Sequence, residues 1–365
     1  MRFEITVGSG AVIVNDQSKA FLDRLLTTPG ISGYEQSVQQ VVRDYVSELA
    51  DAVHTDLHGN VLATHNPGAE LRVMFDGHCD QLGMLVSHVD AEGFVYFQTV
   101  GGWDPQQLVG QRVTIWSPEA PVHGVISRKA IHLLTEDEKK KVVETKDMWI
   151  DIGATDEGDA RSVVQIGDPV TVQLGPQEMR NGLVNAPAMD NRTGVWVVFE
   201  AFRRATERGV ACTLVAASTV QEEIGLRGAR TAAYGVDPHV AIAVDVTHAT
   251  DCPTVDKRQR GTIALGQGPV IVRGPNINPR VGARLDEIAL ANEIPHQVAA
   301  LGRAAPNDSN VLQISRAGVA TGLVQIPNRY MHSAVETVSL DDLDHGAELL
   351  AQFAMSLTLD ADFTP

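Results

Sequence analysis

The chain has 365 residues, 44% of them hydrophobic and 21% charged, as in ordinary globular proteins, and its length favours two domains. The net charge of −17 argues against nucleic-acid binding and attachment to anionic membranes, because both need a basic face. No apolar run approaches the roughly 20 residues that span a bilayer, and the start lacks the pattern of a signal peptide. Three scattered cysteines are too few for a disulfide framework. We therefore expect a cytoplasmic protein.

The N-terminal quarter of the chain alternates between helical and strand patterns. Apolar residues at helical spacing predict helices at 17–26 and 35–49. A turn at 58–60 predicts a hairpin between two short strands. The apolar run 71–75 predicts a buried strand, which leads directly into the sequence Asp-Gly-His-Cys-Asp.

A different pattern begins at about residue 87 and continues to 183. Short alternating segments are separated by Gly, Pro and charged turns, and helical spacing is almost absent apart from a charged stretch at 135–144. About a hundred such residues are enough for a small β-rich domain. We predict that residues 87–183 form a domain inserted into a larger one.

The alternation of helices and strands returns after residue 184. The predicted elements are a helix opening at Asp190, strands at 211–217, 240–244 and 322–326, and helices at 279–291 and 340–355. Continuous apolar strands between helices predict an α/β fold, with a mostly parallel mixed sheet covered by helices on both faces. Residues 1–86 and 184–365 would together form this α/β domain.

Potential metal ligands follow the predicted strands or begin a predicted helix. The carboxyl ends of strands in such a sheet share one edge, where ligands gather. Imidazole and carboxylate groups suit Zn²⁺ or another first-row divalent ion. There are more of them than one tetrahedral ion needs, so two ions sharing a bridging carboxylate fit better. The residues at these positions are His78, Asp80, Asp190, Glu222, Glu223, Asp245 and His332.

Each of these residues alone also has an ordinary structural explanation. Asp190 would be favoured at a helix start by the helix dipole, and Asp245 at a strand end is equally a cap or a ligand. His332 alone is more often a loop histidine, and the adjacent pair Glu222–Glu223 could be a solvated turn. The metal-site hypothesis depends on their coincidence at the ends of strands and helices.

The pattern His-x-Asp occurs twice, and we assign the two copies differently. His78 follows a buried strand, whereas His88 begins a polar turn and is predicted to lie on the surface. Residues 78 and 80 share a face, so Asp80 can orient the imidazole of His78. Cys79 then points to the core, and His132 is predicted to be buried in the insert, away from the site.

Motifs spread over nearly the whole chain resemble those of the M42 family of dinuclear metallo-aminopeptidases. That family includes glutamyl and leucyl aminopeptidases and TET-like assemblies, and some members carry an endoglucanase label. The motifs are PGISGYE at 29–35, GHCDQLGMLV at 77–86, AIHLL at 130–134, NAPAMDNRTG at 185–194, VQEEIGLRGA at 220–229, DVTHA at 245–249, LGQGPVI at 265–271 and PNRYMHSAVE at 327–336.

The resemblance implies two divalent ions per subunit, Zn²⁺ or Co²⁺, and a role for each residue of the constellation. The implied ligands are His78 and Asp245 for one ion, Glu223 and His332 for the other, and Asp190 as the bridge between them. Glu222 is implied to be the general base. Asp80 is implied to be the partner that orients His78.

The resemblance also implies an architecture. The insert would be a PDZ-like dimerisation domain, and homodimers would assemble into hollow homododecamers. Two features depart from the family pattern. The family's Gly-Gly-Thr-Asp-Ala loop is replaced here by residues 305–309, which keep Asp308 but lack the glycines, and about fifteen N-terminal residues extend beyond the usual start as an expected extra hairpin.

The expected function is removal of N-terminal residues from short peptides, with Glu222 activating water at the two ions. A carboxypeptidase or an N-acyl amino-acid deacylase of the same clan is the main competing function, although the stretch 329–333 favours M42. A glycoside hydrolase would need two carboxylates flanking a sugar and would leave both histidines idle. A non-catalytic binding protein would be expected to lack a ligand or the base. The basic stretch 257–260 either attracts acidic side chains or is merely solvated.

Overall fold

The computed structural model describes residues 15–173 and 175–365, so the hairpin expected near the N-terminus lies outside the described residues. The helices are α1 (Asp16–Thr27), α2 (Gln36–Val46), α3 (Pro105–Leu108), α4 (Glu157–Arg161), α5 (Met189–Arg208), α6 (Arg227–Val236), α7 (Lys257–Arg260), α8 (Pro279–Ala291), α9 (Ser309–Leu312) and α10 (Leu340–Met355). Within these ranges, no helix combines the length and apolar character needed to cross a membrane.

The strands form one large sheet, a closed barrel and a small three-stranded sheet. In chain order they are β1 (Ala52–Thr55), β2 (Val61–His65), β3 (Arg72–His78), β4 (Gly83–Val89), β5 (Val95–Val100), β6 (Arg112–Trp116), β7 (Pro121–Arg128), β8 (Met148–Asp151), β9 (Pro169–Val172), β10 (Gln177–Glu178), β11 (Leu183–Ala186), β12 (Thr213–Thr219), β13 (Val240–His248), β14 (Val270–Arg273), β15 (Gln297–Ala300), β16 (Ala320–Asn328) and β17 (Glu336–Ser339).

The large sheet has eight strands in the order β1-β2-β12-β3-β13-β16-β14-β15. Its centre, β12-β3-β13-β16, is parallel throughout, as is the edge pair β14-β15. The remaining neighbours pair antiparallel, partly because β1 and β2 form the predicted hairpin. The predicted mixed α/β sheet is confirmed, and its parallel centre brings four carboxyl ends to one edge.

Helices cover both faces of this sheet. Successive residues of each strand point to opposite sides, so neighbouring residues join different cores. In β3, Val73 and Phe75 belong to a core that also contains apolar residues of α1, α2, α5, α8 and α10. Met74, between them, belongs to the second core, which includes residues of α6 and α9. The strands are therefore apolar on both sides, as their unbroken hydrophobic runs predicted.

Helix α5 connects the core to the edge where the candidate ligands lie. Trp196 and Phe199 are fully buried on it. One turn earlier, the buried guanidinium of Arg192 donates to the carbonyl of Leu25 at 2.6 Å and to Oε1 of Gln81 at 2.6 Å. Arg192 thus ties the end of α1 to the loop that follows β3. This holds the loop after His78 in place with hydrogen bonds as well as packing.

The inserted segment forms a closed six-stranded barrel in the order β4-β5-β8-β7-β6-β9. Its interior is filled by residues such as Met84, Ile115 and Ile150. The barrel already includes Gly83, so the predicted boundary at residue 87 falls inside its first strand.

The prediction for His132 was wrong: it is exposed between exposed Ile131 and Leu133. The charged stretch at 135–144 contains only a short 3₁₀ turn, Glu138–Lys140.

Candidate active site

The candidate site residues lie together at the carboxyl edge of the central strands. His78 is the last residue of β3 and Asp245 lies inside the neighbouring β13. Glu222 and Glu223 follow β12, while His332 follows β16. Asp190 is the second residue of α5 and has non-helical φ and ψ.

Asp190 lies between the two histidines. Its Oδ1 is 3.3 Å from Nε2 of His78, and its Oδ2 is 3.4 Å from Nε2 of His332. The Asp190 side chain is only 8% exposed. One carboxylate therefore faces both imidazoles, with a different oxygen directed at each.

Three other carboxylates complete the cluster. Asp245 Oδ1 and Glu222 Oε2 are each 3.8 Å from Nε2 of His78, and Glu223 Oε2 is 3.6 Å from Nε2 of His332. Two sets of three residues have ligand atoms within 4.8 Å of one another: His78 with Glu222 and Asp245, and His78 with Asp190 and Glu223. The cluster therefore has donors for more than one cation.

Asp80 fixes the backbone of the glutamate pair. Its fully buried carboxylate accepts the N–H of Glu222 at 3.0 Å and the N–H of Glu223 at 3.2 Å. The hydroxyl of Ser32 donates to it at 2.6 Å. Oδ1 also lies 3.4 Å from Nδ1 of His78, on the opposite side of the imidazole from the cluster. A single carboxylate thus relates three candidate site residues to one another.

Glu336 is the corresponding residue on the other side, and sequence reasoning missed it. Its buried carboxylate accepts the N–H of Asp190 at 2.9 Å and the N–H of His332 at 2.8 Å. It begins β17, which belongs to the three-stranded sheet rather than the large one. Glu336 was therefore not predicted from its position after a strand of the large sheet. Its position four residues after His332 was the available signal.

The electrostatics of the cluster show an excess of negative charge. Burial raises the pKa values of Glu222 and Glu223 well above the ordinary range, and neighbouring carboxylates including Asp190 raise them further. Burial alone would lower the pKa of His78, but the carboxylates around it outweigh burial and raise it. Bound cations would relieve this repulsion by favouring the ionised carboxylates.

The donor set fits divalent metal ions. Imidazole nitrogens and carboxylate oxygens in a compact, buried group are the usual ligands of Zn²⁺ and similar ions. Oε1 of Glu223 is buried without a hydrogen-bond partner among the described residues. A buried carboxylate oxygen in that condition is costly unless a cation or another donor satisfies it.

Two more carboxyl groups lie behind the cluster. Asp76 is fully buried, and burial raises its pKa to about 7. Asp308, the residue retained from the altered loop, is also buried and accepts from the hydroxyl of Thr219 at 3.2 Å. The loop is held by Asn276, whose Oδ1 accepts the N–H of Ala305 at 3.0 Å. Residues 305–309 therefore keep Asp308 buried near the site without the glycines.

The family of the chain follows from comparison with known proteins. Residues 59–349 match the model of the M42 glutamyl aminopeptidase family. The fold and the site thus belong to a peptidase class, and the chain is a member of the M42 peptidase family.

Similar proteins of this family are aminopeptidases. A lysyl aminopeptidase of Pyrococcus furiosus is 35% identical over 94% of this chain and 98% of its own length. The crystal structure of a TET aminopeptidase from a marine-sediment thaumarchaeote is 35% identical, with a TM-score of 0.89 over 94% of this chain and 97% of that one.

A further similar structure is the TET1 peptidase of Pyrococcus horikoshii, which can assemble into a tetrahedron or a large octahedral shell. It is 29% identical, with a TM-score of 0.83 over 93% of this chain and 100% of that one. Of two other similar structures, one is described as an endoglucanase and the other as a peptidase/endoglucanase. The expected resemblance is therefore confirmed, including the mixed labels within the family.

Proposed function

We propose that the protein is a dinuclear metallo-aminopeptidase that removes N-terminal residues from short peptides. The observation that carries the proposal is the carboxylate of Asp190, which faces His78 with one oxygen and His332 with the other. A carboxylate between two imidazoles, each with further carboxylates beside it, is the arrangement that two neighbouring cations need.

In this proposal each ion has its own histidine and its own carboxylate. His78 and Asp245 would hold one ion, His332 and Glu223 would hold the other, and Asp190 would bridge them. Zn²⁺ or Co²⁺ fits these nitrogen and oxygen donors. When bound, such ions polarise a carbonyl oxygen and lower the pKa of a water molecule from 15.7 toward about 7.

Glu222 is the proposed general base. Its side chain is 11% exposed, and its N–H is fixed by Asp80. It would accept a proton from the attacking water and donate it to the leaving amine, a role that requires a carboxylate within hydrogen-bond reach of the reacting atoms. Asp80 would hold both the glutamate backbone and the imidazole of His78 in the required orientation.

The activity is tested with a panel of aminoacyl arylamides, assayed as purified, after chelation and after addition of Zn²⁺ or Co²⁺. Free and N-acetylated forms of one peptide are compared in parallel. Cleavage of the free peptide alone, lost on chelation and restored by metal, is the expected result. Equal cleavage of the acetylated peptide would contradict aminopeptidase activity and favour an N-acyl amino-acid deacylase.

A carboxypeptidase and a glycoside hydrolase would each be recognised by a different outcome. A carboxypeptidase would shorten an N-acetylated peptide from its C-terminus. A glycoside hydrolase would act through two carboxylates and would leave His78 and His332 without a role. Hydrolysis of a polysaccharide that persists after chelation would therefore overturn the metallopeptidase proposal.

The proposal includes self-association through the barrel. The inserted segment carries several large apolar side chains on its surface, including Ile131 and Leu133, which are 59% and 69% exposed. We propose that this segment acts as the PDZ-like dimerisation domain expected from the family, and that the dimers assemble into dodecamers. Replacing Ile131 and Leu133 by Glu should give a smaller species in analytical ultracentrifugation. An unchanged mass would mean that the contacts lie elsewhere.

We also propose a cytoplasmic location. Cys79 and Cys212 are buried, and neither they nor the half-buried Cys252 forms a disulfide. Unpaired thiols are usual in a reducing compartment. Fractionation of the native host, with immunodetection of the protein, would test the location; recovery in a secreted fraction would contradict it.

A further inference from the structure

The segment Ile31 to Glu35, part of the PGISGYE motif, lies against the candidate site but carries none of its proposed ligands. Ile31 forms an isolated parallel bridge with Gln81, in the loop after β3. Ser32 and Glu35 are both buried, with 5% and 4% exposure. Ser32 donates to Asp80, as described above. The segment therefore reaches the residues that support the glutamate pair.

Four successive backbone N–H groups leading into the glutamate pair are bound by side chains from distant parts of the chain. Asn60 accepts the N–H of Val220 at 3.1 Å, and Glu35 accepts the N–H of Gln221 at 3.2 Å. The next two N–H groups both donate to Asp80. The direction of this turn is thus set by three side chains and not by its own local hydrogen bonds alone.

Gln221 is the residue of this turn with unusual backbone geometry. Its φ is +58°, a left-handed backbone conformation that is unfavourable for residues other than glycine. It directly precedes Glu222. A conformation of this kind persists only where surrounding groups hold it, and the carboxylate of Glu35 is the group bound to its N–H.

The side chain of Glu35 binds the turn before Glu222 and not its own helix. Glu35 stands at the N-cap of α2, yet its side chain makes no capping hydrogen bond to that helix. Oε1 instead accepts from Gly33 at 2.7 Å and from Gln221. Burial raises the pKa of this carboxyl to about 7, so keeping it there has an electrostatic cost.

We propose that Glu35 is a positioning residue for the general base: it holds the N–H of Gln221 and thereby sets the direction of the Glu222 side chain. This inference rests on the proposed role of Glu222. Glu35 hydrogen-bonds none of the proposed metal ligands, so its effect falls on proton transfer and not on metal binding.

Three variants of the metal-loaded enzyme test the role. Glu35→Ala removes the acceptor, and Glu35→Asp withdraws the carboxylate from Gln221 while keeping its charge. Both should lower kcat about 10- to 100-fold, with KM and the number of bound ions unchanged. Glu35→Gln keeps an oxygen acceptor at the same reach and should restore most of kcat. If Glu35→Ala does not fold, the Asp and Gln variants carry the comparison.

Asp168→Ala is the matched control for loss of a buried carboxylate. Asp168 is 6% exposed and accepts the N–H of Gln165 at 2.8 Å within the barrel. Its removal should lower the melting temperature while leaving kcat unchanged. An equal fall of kcat in this variant would mean that the effect of Glu35→Ala reflects general destabilisation, and would overturn the inference.

A double-mutant cycle separates this inference from the proposed function. Because Glu35 would act through Glu222, Glu35→Ala combined with Glu222→Gln should be no slower than Glu222→Gln alone. Additive losses would overturn the positioning role while leaving the base intact. If Glu222→Gln itself keeps full activity, the proposed function fails. If Glu222→Gln is inactive and Glu35→Ala keeps full kcat, only the present inference fails.

Discussion

The two histidines of the site lie in different kinds of structure, one in a strand of the sheet and the other in a loop. His78 ends β3, where it pairs with Thr219 of the parallel strand β12, and its side chain is 2% exposed. His332 lies in a loop with a φ of +61°, and its side chain is 38% exposed. Its Nδ1 lies 3.1 Å from the carbonyl oxygen of Gly102, which follows the second barrel strand. The His78 half of the site is thus built into the sheet, and the His332 half is assembled from loops.

Both halves of the site are supported by a buried carboxylate that binds backbone N–H groups. A buried carboxylate accepts two backbone N–H groups on each side: Asp80 from the glutamate pair, and Glu336 from Asp190 and His332. Asp80 adds to the rigid sheet that carries His78, and it also holds the N–H of Glu223, which belongs to the His332 half. His332 lies in a loop, so its position should depend more strongly on Glu336, and the His332 half should lose its ion more readily.

The largest expected effect is that of metal removal. Stepwise chelation should pass through a species with one ion per subunit before activity falls to background, because the loop-borne half releases its ion first. His332→Ala should already begin at one ion per subunit. Elemental analysis and activity are measured on the same samples. Loss of both ions in a single step would contradict the difference between the halves.

The next largest effect separates the adjacent glutamates. Glu222→Gln keeps the shape and hydrogen bonding of the side chain but lacks the base, so it should bind both ions and lose about 10²–10⁴-fold in kcat. Glu223→Gln should lose or weaken one ion and be partly rescued at high metal concentration. Elemental analysis with steady-state kinetics checks both. An emptied site in Glu222→Gln with full loading of Glu223→Gln would reverse the assignment.

A smaller effect is expected from removing either supporting carboxylate, Glu336 or Asp80. Glu336→Ala should weaken the binding of one ion about 10- to 100-fold, because it frees the backbone of two proposed ligands in the less rigid half. Asp80→Ala frees the backbone of the general base Glu222 and of only one proposed ligand, Glu223, so it should lower kcat more and metal affinity less than Glu336→Ala does. Metal titration by calorimetry distinguishes them. Equal loss of metal affinity in both variants would contradict the stronger dependence of the His332 half on Glu336.

The smallest effect is a dependence of stability on pH. Burial raises the pKa of Glu336 to about 8, against about 4.3 in an unfolded chain. The folded metal-free protein therefore binds more protons between these values, and its unfolding free energy should fall as pH rises from about 4 to 8. Metal binding strengthens over the same range as its ligands lose protons. The difference in melting temperature between loaded and metal-free protein should widen by a few degrees from pH 6 to 8.

Glu336→Gln is the control for that dependence. The amide does not titrate, so the melting temperature of the metal-free variant should vary less with pH than that of the parent protein. Scanning fluorimetry at pH 6, 7 and 8 is sufficient for the comparison. An unaltered slope in the variant would assign the pH dependence to other buried carboxyl groups, such as Asp76.

The sequence predicted the fold best where several signals agreed. Helices α8 and α10 have the predicted bounds, since apolar spacing in α8 coincides with an Asn278 cap followed by Pro279. Strand β13 was predicted to stop at residue 244 but continues to His248. The apolar run ends there because Asp245, a candidate ligand, occupies the next strand position. The polar candidate ligand Asp245 therefore made the predicted strand shorter than the observed one.

The supporting residues could not be predicted in the same way. Candidate ligands share a rule, since they follow strands that end at one edge. Glu336 and Glu35 have no such rule, because one of the two backbone N–H groups that each binds lies more than a hundred residues away in the chain. His132 was misjudged for a related reason. Apolar neighbours suggested burial, but the barrel core is filled by its strands and leaves that segment outside.

The contact between Gly102 and His332 links the positions of two bodies of the molecule. A Cβ at Gly102 would lie 3.1 Å from Nδ1 of His332, so the two residues are closely packed as well as hydrogen-bonded. Any rotation of the barrel relative to the α/β body would pull on this imidazole. The position of His332, a proposed ligand of the second ion, therefore depends on how the barrel is placed against the α/β body.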